Sequence, residues 1–330
     1  MIKHLYWIDP HFVHNKKEEM DNLAAFVCET AYKNNVDKIN ILGDLNDTFN
    51  ILRTDNLEFW SKWLVLLCDV CPVKALVGNH DKKNQGDDNN KENSLNIFSC
   101  LQTKYVLDII SSPVTFGIFG YMPYIHNKEL FVKEANLLAE QGAKVLICHG
   151  EFDGGQYDNG HYIPDGVKQE LLNFDLIISG HIHTRSAFGK VRNPGTARWI
   201  TASDANKKKG IWLVEHDEVT GQILKEEFLD TSHICTPIYS YQFKEGDIEP
   251  VIPVGSRASV ELIGSSEWIS KQKPKFKGKA SISSKITDKQ KPSNRKTGDS
   301  LEHFVNNVFE VGTGLNKEKM VKFMRENGIL

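Results

Sequence analysis

Five short blocks of this sequence place residues of metal-ligating type directly behind apolar runs: Asp9 and His11 in "DPH", Asp44 in "GDLND", Asn79 and His80 in "GNHD", His149 in "CHG", and His181 and His183 in "GHIH". Asp9, Asp44 and Asn79 offer oxygen donors, and the histidines offer imidazole nitrogens. Such a mixed set suffices for two divalent cations sharing one bridging carboxylate. No thiolate belongs to it, which favours Mn²⁺ or a similar first-row ion over structural zinc, with Mg²⁺ as the alternative. Two such ions lower the pKa of a bridging water and clamp a phosphoryl group, which is the chemistry of phosphoester hydrolysis without a covalent intermediate. His80 is left over once ligands are assigned, so it can stabilise transition-state charge or protonate a leaving alkoxide, with Asp81 orienting it. Any one of these histidines alone reads as a satisfied polar residue; five blocks of one kind do not.

The elements that must position these residues follow an alternating rhythm of short strand, turn and amphipathic helix from Met1 to about Glu215, the pattern of an α/β sandwich. "HLYWID", "KINILGD", "VKALVGNHD", "TFGIFGYMPY", "AKVLICHG" and "FDLIISGHIH" read as strands. Ligand sites in open α/β sheets form at the carboxyl ends of strands, where all five blocks lie. Residues two apart on a strand share a face, which sets Asp9 beside His11 and His181 beside His183. Asn15 and Glu18 resemble a capping box opening a helix with Met20, Leu23, Ala24, Val27 and Ala31 on one face. "NLEFWSKWLVLLCDV" and Lys128 to Gln141 read as further helices, and Lys82 to Glu92 as a polar loop. "GIWLVEHD" and "GQILKEEF" read as a β-hairpin, after which "SRASVELIG", "SSEWISKQ" and "KASISSKI" suggest strand, helix, strand. A polar linker over Thr287 to Gly298 leads to two short helices, about Ser300 to Val311 and Asn316 to Asn327.

Composition sets the frame. A chain of 330 residues holds one large domain plus a smaller one. No apolar run is long enough for a membrane span, and the first apolar stretch is too short for a signal peptide and carries candidate ligands, so the expected setting is cytoplasmic and not secretory. The six cysteines are scattered in apolar contexts, as buried thiols in a reducing compartment would be; Cys68 and Cys71 form one CxxC without a second pair. The formal charge of −3 is uneven, since Lys271 to Asp299 holds ten Lys/Arg and two Asp. An anionic partner and a solvated basic linker both account for that segment.

The ordered blocks resemble the signature of calcineurin-type metallophosphoesterases. Carried over residue by residue, the resemblance implies one metal held by Asp9, His11, Asp44 and His183, a second held by Asp44, Asn79, His149 and His181, and a catalytic role for His80. Pro10, between Asp9 and His11, departs from the pattern at that strand edge but leaves both side chains available. Beyond "GHIHT", the stretch "KVRNPGTARWITASDANKKKGIWLVE" is similar to DNA repair nucleases of the SbcD type, bacteriophage-encoded exonuclease subunits in particular. That likeness covers nearly the whole chain, closely over the first 215 residues and in layout after about Thr236. It implies a four-layer αββα sandwich over residues 1–235, a small α+β capping domain over 236–286, a linker over 287–299, and a helical partner-binding region over 300–330.

From this follow expected partners: DNA, an SbcC-like ATPase subunit, and a second copy of the chain in a heterotetramer, with no membrane. No GxxxxGK[ST] loop is present, so ATP hydrolysis would belong to the partner. Lys271, Lys273, Lys275, Lys277 and Lys279 are candidate DNA contacts or else one solvated strand edge. Leu301, Phe304, Val305, Val308 and Phe309, with Met320, Phe323 and Met324, are candidate contacts to the ATPase, opening on an Asp299–Glu302 capping pair. Helices near Asn56 to Val70 and Ser94 to Gln102 are candidate dimer elements, because Trp60, Trp63, Leu64 and Leu67 exceed what one face requires. The leading expectation is a Mn²⁺-dependent DNA exonuclease or endonuclease of DNA repair, recombination or replication. Its rivals are a phosphatase acting on small molecules or proteins and a non-catalytic scaffold; the scaffold would have lost ligands, and none is missing.

Overall fold

The computed structural model describes residues 1–48, 51, 53–82 and 107–287. The expected helices at Ser94 to Gln102, Ser300 to Val311 and Asn316 to Asn327, most of the Lys82 to Glu92 loop and nearly all of the linker lie outside these residues, as do the eight candidate ATPase contacts.

Two six-stranded sheets carry the first body of the fold. One has the order β12-β11-β1-β2-β3-β4 and the other β5-β6-β7-β8-β10-β9. The strands are β1 (Ile2–Trp7), β2 (Lys38–Ile41), β3 (Val73–Leu76), β4 (Leu107–Ile110), β5 (Val114–Phe116), β6 (Phe119–Met122), β7 (Val145–His149), β8 (Leu176–Gly180), β9 (Ser186–Phe188), β10 (Val191–Asn193), β11 (Gly210–His216) and β12 (Ile223–Asp230). β1 to β4 pair in parallel, and β11 returns antiparallel to β1. β6, β7, β8 and β10 are also parallel. Parallel strands with apolar residues on both faces need cover on both sides. Tyr6, Ile8, Leu42 and Leu76 of the first sheet pack with Tyr121, Ile147 and Ile178 of the second. On the outer face of the first sheet, helices α1 (Lys17–Lys33) and α2 (Thr54–Val70) bury Leu23, Val27, Trp60 and Leu64 against Leu5, Trp7 and Ile39. Helix α3 (Lys128–Glu140) places Phe131, Ala135 and Leu138 against Leu146 and Ile177 of the second.

Several expectations change. The capping box at Asn15 does not form: a 3-10 turn takes up His14–Lys16, and α1 starts without a side-chain cap, although its apolar face is the expected one. "TFGIFGYMPY" is two antiparallel strands, because Gly117 (φ 61°) turns the chain between them. The hairpin of β11 and β12 forms as expected. Trp60, Trp63, Leu64 and Leu67 are all buried in the chain's own core, so packing within the chain accounts for these four.

The chain divides into two compact units, the first taking Met1–Tyr241, Pro250–Val260 and Gly278–Ser281, the second Gln242–Glu249, Glu261–Lys277 and the chain from Ile282. A three-stranded sheet runs in the order β13 (Ile238–Lys244), β14 (Arg257–Gly264), β15 (Ser281–Ile286). In the second unit, Phe243 packs on Trp268 and Phe276 of helix α4 (Ser266–Phe276), at ring separations of 5.0 and 5.9 Å. Lys271, Lys273 and Lys275 therefore lie on a helix, where alternate residues point about 200° apart. They do not share the strand edge that their spacing suggested. Lys271 pairs with Glu267 and Lys275 with Glu249, all at exposed positions.

Candidate metal centre

All seven expected ligands come together at the carboxyl ends of β1, β2, β3, β7 and β8, and the backbone there is unusual. Asp9, His11, Asp44 and His181 adopt positive φ, at 42°, 44°, 48° and 89°. Left-handed backbone costs a non-glycine residue about 1–2 kcal/mol, so four such residues in one cluster indicate strain held by surrounding structure. Because Asp9, His11, His181 and His183 lie beyond their strands, the period-two pairing expected for them does not apply. His183 faces His11, with Nε2 atoms 3.2 Å apart, whereas His181 faces His149, with Nδ1 3.1 Å from Nε2. Pro10 likewise sits past the end of β1 and disturbs no pairing.

Two donor clusters result. In one, Asn79 Oδ1 lies 2.9 Å from both His149 Nε2 and His181 Nδ1. In the other, His11 and His183 point Nε2 at each other. Between the two stands Asp44, whose Oδ2 is 3.6 Å from His11 Nε2 and 3.4 Å from His149 Nε2. Its Oδ1 accepts the His80 N–H at 2.9 Å. Asp9 receives the His181 N–H on Oδ2, while its buried Oδ1 has no hydrogen-bond donor. Imidazole nitrogens converging on each other and on anionic oxygens, beside an undonated buried carboxylate oxygen, are a donor set that fits divalent cations.

The outer nitrogens of the four histidines face acceptors. His149 Nδ1 meets the Leu42 carbonyl at 2.7 Å and His181 Nε2 meets Glu151 at 2.8 Å. Asp47 lies 3.5 Å from His11 Nδ1, and Asp158 lies 3.6 Å from His183 Nδ1. For His149 and His181 these hydrogen bonds select the nitrogen that turns inward, whereas His11 and His183 only face a carboxylate with Nδ1 and make no hydrogen bond there.

Burial alone would lower the pKa of His149, but Asp44 and Asp9 outweigh it and raise it well above the ordinary value. The same opposition raises His11, where burial is overcome by Asp47, Asp44 and Asp9. His183 goes the other way, down to about 4, through burial and the neighbouring His11. Burial works against the Asp44 carboxylate too, yet His149 and His11 hold its pKa far below the usual range. The site thus attracts positive charge.

His80 is half-buried and gives its Nδ1 to the Asp47 carbonyl at 2.7 Å; burial lowers its pKa. Asp81 does something other than orient it. Its carboxylate accepts N–H groups from Leu45, Asn46 and Gly78, binding the Asp44 loop to the Asn79 loop. Burial and the nearby Asp44 push Asp81 up to about 7. Gly78 allows that closeness, since a Cβ there would stand 2.1 Å from Asp44 Oδ1.

Sequence reasoning missed two buried cations. Arg198 donates to the carbonyls of Pro10 and His11 and is 3.7 Å from Glu19. Lys209 donates to the His183 carbonyl at 2.8 Å and to Thr196 at 2.7 Å, and pairs with Asp204. Together they pin the backbone of the two ligands that face each other. Their signal in the sequence is faint: two of several basic residues in "TARWITASDANKKKG", with nothing local to say which are buried.

Cys68 and Cys71, in contrast, join no donor cluster. Burial raises their thiols to about 11 and about 12, which makes them unreactive.

Comparison with known proteins agrees with this reading. The family model for calcineurin-like phosphoesterases matches residues 9–185. A protein of Invertebrate iridescent virus 6 named "Putative phosphoesterase 244L" is 29% identical over 247 residues, covering 71% of this chain and 84% of its own length. "Putative phosphoesterase 078R" of Invertebrate iridescent virus 3 is 25% identical over 184 residues, 54% of this chain, which spans about half (52%) of that relative. A solved structure described as GAP50, the anchor in the inner membrane complex of Plasmodium, aligns over 69% of this chain and 88% of its own, at 13% identity and a TM-score of 0.38, too distant to bear on function. Because the family match begins at the first expected ligand, ends two residues past the last and takes in more than half of the sequence, the chain belongs to the calcineurin-like phosphoesterase family.

Proposed function

We propose that this phosphoesterase is a two-metal DNA nuclease, the hydrolytic subunit of an SbcC/SbcD-like end-processing complex. The observation that carries two-metal hydrolysis is Asp44 Oδ2, one carboxylate oxygen set between two clusters of inward-facing donors. Asp9, His11, Asp44 and His183 would hold one ion, and Asp44, Asn79, His149 and His181 the other. Bound there, Mn²⁺ or Mg²⁺ supplies Lewis acidity to the phosphoryl group and to an attacking water. His80 holds Nδ1–H to the Asp47 carbonyl, which presents Nε2 to substrate, and its lowered pKa makes the protonated ring a stronger acid toward a leaving oxygen. Asp81 keeps the two ligand loops in register.

DNA as substrate rests on the similarity of "KVRNPGTARWITASDANKKKGIWLVE" to SbcD-type nucleases, and on a second compact unit whose lysines give it an electrostatic handle for phosphates. A phosphatase has little use for that unit. The partners follow from the same likeness: an SbcC-like ATPase bound through residues 300–330, and a second copy of each subunit, in the cytoplasm. Among the described residues, no helix is long and apolar enough to cross a membrane. Hydrolysis of bis-p-nitrophenyl phosphate and of single-stranded and duplex DNA, each with Mn²⁺ and with EDTA, tests the reading. Mn²⁺-dependent DNA cleavage is expected. Cleavage of the small ester with DNA left intact would favour a small-molecule phosphoesterase, and full activity in EDTA would remove the metal mechanism.

A further inference from the structure

Two residues past the ligand His183, the chain enters a cleft of about 370 Å³ lined by Arg185, Arg192, Asn193, Trp212 and Glu226, among others. Arg185 is exposed, and its guanidinium lies 4.5 Å over the Phe228 ring. That stacking fixes the plane of the guanidinium and leaves its N–H fork for a ligand. Arg192 uses Nη1 on the carbonyls of Gly189 and Val191, both at 3.0 Å. Among the described residues neither arginine has a carboxylate partner. This holds although Glu226 lines the same cleft, because that carboxylate is taken by the Trp212 indole N–H at 2.8 Å.

Two unpaired guanidiniums near one held carboxylate leave the cleft with net positive charge. Its place matters as much, since two residues of chain span at most about 7 Å between the Cα atoms of His183 and Arg185. A group bound by Arg185 is therefore near enough to belong to a molecule whose phosphoryl group is held at the metal centre. A single phosphate fills one of the two positions, whereas a chain of phosphodiesters presents its next phosphate one nucleotide on.

We infer that this cleft is a subsite for the phosphate adjoining the scissile one in a single-stranded nucleotide chain, with Arg185 as its main anion contact. The inference rests on the nuclease reading and deepens it, because the subsite sets a minimum substrate of two phosphates. Stacking on Phe228 with no ligand role is the alternative, and charge changes of opposite sign separate the two.

The test is equilibrium binding of the full-length protein at low ionic strength with Ca²⁺ in place of Mn²⁺, so that the metal centre can hold one phosphate and the cleft the next. The probes are a thymidine trinucleotide with two internucleotide phosphates and the dinucleotide with one. The trinucleotide should bind more tightly than the dinucleotide. Arg185→Gln should weaken trinucleotide binding about tenfold, the loss expected when one charge-assisted contact to phosphate is removed. Glu226→Gln should strengthen it severalfold while keeping an oxygen for the Trp212 N–H; a damaged fold would not produce a gain. Equal affinity of the two probes, or variants that bind the trinucleotide as the wild type does, would overturn the subsite. Hydrolysis of the same trinucleotide with Mn²⁺ is read separately, and its absence with these affinities intact would count against the nuclease reading alone.

Discussion

Buried histidines occupy both ends of this β-sandwich, and they behave in opposite ways. At the carboxyl ends of the strands, His11 and His149 face Asp9, Asp44 and Asp47, and carboxylate charge overcomes burial to raise their pKa values. At the other end of β1, His4 and His216 are just as buried but face Tyr6, whose hydroxyl lies 3.1 Å from His4 Nδ1 and 2.9 Å from His216 Nε2. Phe119 packs on His4 at 4.4 Å. Burial there wins: His4 falls well below the ordinary value, with His216 and Lys38 adding to the effect, and burial lowers His216 as well. The same side chain is a neutral packing element in one place and a cation-seeking ligand in the other. Carboxylates beside the ring, at both of its nitrogens, make the difference. His183, at the metal end but next to His11, is lowered, which shows that position alone does not decide it.

The largest expected effect belongs to the metal end. His80→Gln should lower turnover about 10²- to 10⁴-fold, the usual worth of a positioned acid or base, with metal content unchanged. Metal analysis beside the rate checks this, and a His80 variant stripped of metal would mean that its role is structural. Lys209→Met comes next. It leaves Asp204 facing an apolar side chain and frees the His183 carbonyl, so stability should fall by about 3–5 kcal/mol in urea unfolding of chelated protein. A loss under about 1 kcal/mol would mean that the pair is dispensable. Glu151→Gln weakens the hold on His181 Nε2 while the His11 cluster keeps its own acceptors. Affinity for the weaker of two Mn²⁺ ions should drop about 10- to 100-fold by calorimetry, with the other ion little changed.

The smallest effect lies at the opposite end. Since the folded pKa of His4 is below its unfolded value of about 6.5, the unfolded chain takes up a proton that the folded chain refuses as pH falls from 7 toward 5. Stability from this site is therefore present above pH 6.5 and lost below it, at up to about 1.4 kcal/mol per pH unit. His4→Gln should flatten that slope relative to wild type. An unchanged slope would show that the acid sensitivity arises elsewhere.

How far the sequence could be read follows the same divide. Ligand types behind apolar strands are a local signal, and Asp9, His11, Asp44, Asn79, His149, His181 and His183 were all visible and all converge. Which imidazoles face each other was not visible, because the chain turns at His181 in left-handed backbone beyond the strand, and His181 and His183 diverge to separate clusters. Asp81 was read as a partner of His80, its neighbour in sequence; it accepts instead from the backbone of Gly78 and from that of Asn46 and Leu45, 35 and 36 positions away. Arg198 and Lys209 escaped for a related reason: a buried cation has the same letter as an exposed one, and its carbonyl partners lie on other loops. In α4, "SSEWISKQ" was read as a helix, but the alternating lysines left a strand edge open; the burial of Ile269 and Phe276 on one face carries the helix on to Phe276.

Two-metal hydrolysis requires Asp44 to serve both clusters, and counting bound Mn²⁺ tests this. Calorimetric titration with parallel elemental analysis should give two ions per chain for the wild type and one for His181→Ala, whose remaining ion is held by Asp9, His11, Asp44 and His183. Asp44→Ala should bind neither with measurable affinity, and circular dichroism should confirm that it is folded. An Asp44→Ala protein that is folded and still binds two Mn²⁺ ions per chain would contradict the shared carboxylate, and with it the two-metal centre.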